Sequence, residues 1–164
     1  MHLYIQVQHI YSIKITLYNM NIQKLSTYGP LPIRILAGII FIAHGVPKLA
    51  DPAMTQGFFG NIGLLPEMAI LIGLLEVIGG FVILVGILTR IASILFIIEM
   101  IGAIMLVKVS DEFVGGYEFE LLLISIAVSL LITGPGRISI EYNIMKREIF
   151  PHGKNLVQQI QTKN

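Results

Sequence analysis

The chain contains no cysteine, and charged residues make up only 13% of it. The absence of cysteine excludes a thiol nucleophile, a disulfide and a thiolate-bound metal, and it leaves the redox compartment undetermined. Typical soluble domains contain roughly 25% charged residues. The net charge is +1 and no basic patch is interleaved with aromatic residues, so we expect no nucleic-acid partner. Because the chain has no thiol, any electron-transfer role must use a bound cofactor or a partner subunit.

The chain is instead rich in apolar residues, which make up 55% of its 164 positions and give a mean hydropathy of +0.81. Crossing a membrane takes about 20 largely apolar residues. Four segments meet or approach that requirement: 31–50, 68–88, 91–109 and the shorter 119–133, with Tyr117 and Glu118 at its outer end. A soluble helical hairpin is the alternative, but four such segments leave no polar face for water. We therefore predict an all-α integral membrane four-helix bundle in the cell membrane, surrounded by lipid bilayer.

The distribution of lysine and arginine predicts the orientation of this bundle. Four spans place nine of these eleven residues on one side and only Lys48 and Lys108 on the other. The positive-inside rule then assigns both the N- and the C-terminus to the cytoplasm.

The chain divides into a polar N-terminal segment (1–29), a four-span membrane domain (30–141) and a cytoplasmic tail (142–164). Residues 1–19 alternate like a lone strand and lack the apolar core of a signal peptide. We hypothesise that translation starts at Met20 and that residues 1–19 are an extension or a disordered tail.

Three ionisable residues lie well inside the apolar segments: His44, Glu76 and Glu99. Such residues are costly in hydrocarbon, face the bundle interior and mark sites or pathways. His44 and Lys48 are four residues apart and share a helix face. Glycines three residues before and four after Glu76 predict that it faces a neighbouring helix. In the last segment a mostly polar stripe recurs at helical spacing: Glu118, Leu122, Ser125 and Ser129.

Structural interpretations of the same residues remain open. His44 or Lys48 paired with Glu76 can simply fix helix register, and Glu99 can be a lone protonated carboxyl. Arg34 and Arg90 fit topology anchors, and the serines fit interhelical hydrogen bonding. In the outer loop two aromatic residues are expected to be interfacial anchors or a lid, Phe58 and Phe59. A metal site is disfavoured, because His44, Glu76 and Glu118 offer a single histidine.

Three short motifs occur in order along the chain. The first motif is Arg34-x₉-His44-Gly45-x₂-Lys48, and the second is Leu75-Glu76-x₂-Gly79-Gly80 with Gly86-x₂-Thr89-Arg90. The third is Gly116-Tyr117-Glu118 with Gly134-Pro135-Gly136-Arg137-x-Ser139. In this order the motifs resemble those of the DoxX family of small four-span membrane proteins, and the resemblance covers about 30–141. It departs from the family pattern at Glu141, where an aspartate is usual, and it does not include Glu99.

The resemblance implies a subunit of a membrane redox complex, because the family is similar to the DoxD subunit of a thiosulfate:quinone oxidoreductase. On this hypothesis an outward-facing polar cavity binds a quinone-like ligand or relays protons to it. His44, Glu76 and Lys48 would be the catalytic groups, and Glu99, Glu118, Arg34 and Ser125 would bind the cofactor. Protein partner subunits are expected, and a homo-oligomer is an open alternative. Two other functions stay open: a non-catalytic anchor or assembly factor for a soluble redox partner, and a small dimeric transporter.

Overall fold

The computed structural model describes residues 25–147, together with Lys14 and Ile149. The proposed N-terminal extension, apart from Lys14, and the tail beyond 149 lie outside the described residues. The hypotheses about the start at Met20 and about the cytoplasmic tail therefore stay predictions.

Five α-helices form the described part of the chain: α1 (Pro30–Ala50), α2 (Pro52–Asn61), α3 (Met68–Val85), α4 (Thr89–Val107) and α5 (Glu118–Thr133). Phe113–Tyr117 is a kinked turn with non-helical backbone at Val114 and Gly115, and one wide helical turn covers Glu141–Met145. Within the described region, four stretches are long and apolar enough to cross a membrane: α1, α3, α4 and Phe113–Thr133. The all-helical four-span prediction is confirmed at this level, and the orientation of the termini stays a prediction.

Local sequence signals explain where the helices begin and end. Pro30 and Pro32 stand in the first turn of α1, where the missing N–H groups cost nothing. The Asp51 side chain accepts a hydrogen bond from Met54 N and caps α2. Gly86 ends α3 with a positive φ of 74°, a conformation that glycine adopts without strain. The turn between α3 and α4 is therefore 86–88. Thr89 lies between the second and third predicted segments, and in the structure it begins α4.

Close approach of α1 and α3 is the tightest packing of the bundle. A Cβ on Gly38 would lie 2.7 Å from the carbonyl oxygen of Gly80, and one on Gly45 would lie 2.8 Å from Cβ of Glu76. Small residues permit such contacts between membrane helices. The second pair, α4 with α5, joins the first through stacked rings of Phe41 and Phe96. The bundle is thus two helix pairs that share a central seam.

Arg34 ties one end of the bundle together. Its side chain is buried and donates hydrogen bonds to the carbonyl oxygens of Ile83 and Leu84 at 2.9 Å each. It also donates to the carbonyl oxygens of Pro135 and Ile138. One guanidinium therefore joins α1, the end of α3 and the segment after α5. We call this end of the molecule the Arg34 end, and the opposite end, covered by α2, the α2 end.

Replacing Arg34 with alanine is expected to lower the free energy of unfolding by more than about 3 kcal/mol. Four carbonyl groups lose a charged donor, and hydrogen bonds to charged groups contribute roughly 1.5–3 kcal/mol each. Thermal unfolding of the detergent-solubilised protein measures the effect. Arg137→Ala is the matched control, because Arg137 is exposed and its guanidinium lies 5.8 Å from the centre of the Tyr28 ring. Equal melting temperatures for the two variants would contradict this role of Arg34.

Candidate functional site

A cavity of about 400 Å³ lies between the two helix pairs, in the half of the bundle nearer the α2 end. Its walls are mainly aliphatic and aromatic, and Phe58 and Phe59 of α2 contribute to them. The sequence predicted that these two residues are interfacial anchors or a lid in a loop, and the structure places them in a helix. Five ionisable side chains also line the cavity: His44, Lys48, Glu76, Glu99 and Glu120. The cavity is therefore apolar with a small number of charged groups, as ligand-binding sites are.

Lys48 and Glu76 form an ion pair across α1 and α3. The Lys48 ammonium donates to Oε2 of Glu76 and also to the carbonyl oxygen of His44, at 3.1 Å. The Glu76 side chain is only 4% exposed. Its burial against α1 confirms the prediction that the glycine-flanked face meets a neighbouring helix. A buried carboxylate needs such a partner, since an unpaired one would cost several kcal/mol.

Glu99 brings a second carboxyl group to Glu76. Glu76 and Lys48 both lie close enough to interact with Glu99 electrostatically. Two carboxylates at such a distance repel each other, and a proton on one of them removes that repulsion. Oε2 of Glu99 is buried and has no hydrogen-bond partner within the described structure. The pair, which we call the carboxyl pair, can therefore hold and release a proton beside the ammonium of Lys48.

His44 stands at the edge of the same cavity. Its ring lies 5.7 Å from the ring of Phe119, centre to centre, at an interplanar angle of 33°. The residue is exposed on the bundle surface as well as lining the cavity. The structure thus brings His44, Lys48, Glu76 and Glu99 to one place.

Three other predicted site residues lie away from the cavity lining. Glu118 is exposed, and its Oε1 accepts a hydrogen bond from Gly115 N at 3.0 Å. Ser125 is exposed and donates to the carbonyl oxygen of Leu121, within its own helix, so the expected interhelical bond is absent at this hydroxyl. Arg34 lies at the opposite end of α1. Their predicted roles in cofactor binding gain no geometric support.

Glu120 is the ionisable residue that the sequence interpretation missed. It lines the cavity, and the residue as a whole is 9% exposed. Its Oε1 lies 2.8 Å from the Lys108 ammonium. In the structure the buried residues of α5 recur at helical spacing, namely Glu120, Leu123, Ala127 and Leu130. This periodicity defines the inward face of the helix, and the polar stripe through Glu118 lies on another face.

No group of three or more histidine, cysteine or acidic side chains suited to a metal ion occurs within the described residues. The fold and the cavity define a multi-pass membrane protein with an ionisable site between its helix pairs. The DoxX family model matches residues 29–109. A relative named "Putative oxidoreductase CatD", from Bacillus subtilis (strain 168), is 39% identical over 118 residues, covering 72% of this chain and 88% of the relative. No solved structure matches the chain. The protein belongs to the DoxX family.

Breaking the ion pair from one side is expected to cost more stability than removing both partners. Lys48→Met leaves two carboxyl groups beside each other without a cation, and loss of one partner of a buried pair costs about 3–5 kcal/mol. The double variant Lys48→Met with Glu76→Leu should recover at least about half of that loss. A double-mutant cycle of thermal unfolding in detergent measures the coupling. Additive effects would show that the pair contributes no interaction energy.

Proposed function

We propose that this protein is the membrane subunit of a redox complex in the cell membrane and that its cavity binds the ring of a quinone-like ligand. The observation that carries the proposal is the carboxyl pair, held beside Lys48 in an otherwise apolar cavity of about 400 Å³. Ligand pockets of roughly 300–1,000 Å³ with few polar groups suit flat apolar molecules. The name of the Bacillus subtilis relative supports the same reaction class.

Proton delivery is the chemistry that these residues offer. Reduction of a quinone to a hydroquinone takes up two electrons and two protons, and each ring oxygen gains one proton. The chain has no cysteine, so we assign the electrons to a protein partner that acts as reductant. Within this chain Glu76 and His44 donate or accept protons at the ring oxygens, which positioned carboxyl and imidazole groups do efficiently. Lys48 stabilises negative charge that develops on the ring oxygen.

A purely structural role is the second candidate, and the ion pair itself favours it. Lys48 and Glu76 join the two helices that pack most closely, so they also hold the bundle together. In that case the protein is an anchor or assembly factor for a soluble redox partner and its cavity carries no chemistry. The two functions differ in what a conservative substitution does to activity and to assembly.

Glu76→Gln and His44→Ala are each expected to lower quinone-reductase activity of the purified complex at least about 100-fold, because general acid–base groups contribute about 10²–10⁴-fold. The amount of protein in the membrane should stay unchanged, because the glutamine amide oxygen in Glu76→Gln still accepts a hydrogen bond from the Lys48 ammonium. Glu118→Gln is the control, since Glu118 is an exposed carboxyl away from the cavity. Activity is followed as loss of the quinone absorbance with decylubiquinone as acceptor. Failure of both variants to accumulate would favour the anchor, and full activity in both would contradict the proposal.

Filling the cavity should block the ligand without disturbing the fold. Gly102 lines the cavity, and a Cβ added there meets no atom within 4 Å. Gly102→Leu is therefore expected to weaken decylubiquinone binding at least about tenfold, or about 1.4 kcal/mol. Isothermal titration calorimetry of the detergent-solubilised protein measures the affinity. Ile101→Phe is the matched control, because it enlarges an exposed side chain one residue earlier on α4. Unchanged affinity in Gly102→Leu would place the ligand elsewhere.

A further inference from the structure

Glu120 has a function in the cavity that the assignments above leave open. It stands in the first turn of α5, and its side chain is 11% exposed. One oxygen, Oε1, contacts the Lys108 ammonium, while the other, Oε2, is buried and has no hydrogen-bond partner within the described structure. A buried carboxyl oxygen without a donor has lost the hydrogen bonds that water would give it, and nothing in the described structure replaces them. Such an atom is an exception that calls for a role.

Lys108 connects this carboxyl to the surface at the α2 end. The residue directly follows α4, and its side chain is 30% exposed. Its ammonium also donates to the carbonyl oxygen of Gly116 at 2.9 Å, which fixes it between α4 and the turn before α5. Glu120 therefore has a partly exposed partner on one side and the cavity on the other.

Glu76 of the carboxyl pair also has a partly exposed partner, Lys48 at 24%, but its own side chain is only 4% exposed, against 11% for Glu120. Protons consumed or released in the cavity must nevertheless exchange with water. The charged and titratable groups that face Glu120 come from four elements: His44 and Lys48 of α1, Glu76 of α3, Glu99 of α4, and Lys108 of the following loop. Among the described carboxyls that line the cavity, Glu120 combines an ion pair to a lysine that is 30% exposed with a buried oxygen that has no hydrogen-bond partner.

We propose that Glu120, positioned by Lys108, exchanges protons between the aqueous phase at the α2 end and the carboxyl pair in the cavity. The proposal rests on the proton-carrying role assigned to that pair. The step moves a proton from a carboxyl of the pair to Glu120 and from Glu120 to water, or the reverse. No bond other than O–H forms or breaks.

Infrared spectroscopy tests the route without requiring a bound ligand. The full chain in lipid nanodiscs is transferred to D₂O, and the carbonyl band of the protonated carboxyl, assigned by its loss in Glu99→Gln, is followed as its proton exchanges. Glu120→Gln is expected to slow this exchange at least about tenfold. Glu120→Asp should restore most of the rate, since the shorter side chain is still a carboxyl. Glu118→Gln is the matched control, two residues away on the same helix turn, and should leave the rate unchanged.

An unchanged exchange rate in Glu120→Gln would overturn the proposal, and so would the absence of an exchangeable carboxyl band in the unaltered protein. A rate that falls in His44→Gln and not in Glu120→Gln would place the route on α1 and also overturn it. Should Glu120→Gln fail to fold, Lys108→Met removes the positioning group and is expected to slow exchange severalfold. An unchanged rate in that variant would count against the proposal equally.

Binding of decylubiquinone, measured on the same samples, separates this proposal from the quinone function. A protein that exchanges protons through Glu120 but binds no quinone retains the route and rejects the ligand. A protein that binds quinone with exchange independent of Glu120 retains the ligand and rejects the route.

Discussion

Every buried charge in a membrane bundle needs a partner, and the Lys48–Glu76 ion pair meets this need in the cavity between the helix pairs. The close packing of α1 and α3, which Gly45 permits, brings the two side chains together. Because Glu76 is held there, it interacts electrostatically with Glu99 of α4, and the two side chains form the carboxyl pair. The cavity, its charge and its proposed chemistry all depend on this one contact between helices.

The two ends of the bundle use their buried charges in opposite ways. At the Arg34 end the guanidinium donates to four backbone carbonyl groups, so its hydrogen-bonding capacity is directed to holding three segments together. At the α2 end, by contrast, Glu99 and Glu120 each keep a buried oxygen without a partner in the described structure. Hydrogen bonds from one guanidinium to four carbonyl groups favour rigidity. Carboxyl oxygens without a partner, by contrast, are groups that can take up a proton or a ligand.

Sequence patterns predicted the four spans and the burial of Glu76, because span length and small-residue spacing are local properties. The function of Arg34 was not predictable in this way. Two of its four acceptors lie 49 and 101 residues away along the chain, and backbone carbonyls have no signature in the sequence. The resemblance favoured Glu118 over Glu120. Residues two positions apart on a helix point in directions about 200° apart, so the two side chains lie on different faces. Only the packing of α5 shows which of them faces inward. Helix α2 was missed although Asp51 followed by a proline is a helix-start signal.

The central claim is that a quinone-like ring occupies the cavity between the helix pairs. Photolabelling with an azido-substituted benzoquinone, followed by peptide mass spectrometry, tests it most directly in the full chain embedded in lipid. The account predicts label on cavity-lining residues of different helices, such as Met100 and Leu123, and competition by unlabelled decylubiquinone. Label confined to outward-facing residues such as Ile78 or Ile101, without competition, would contradict it.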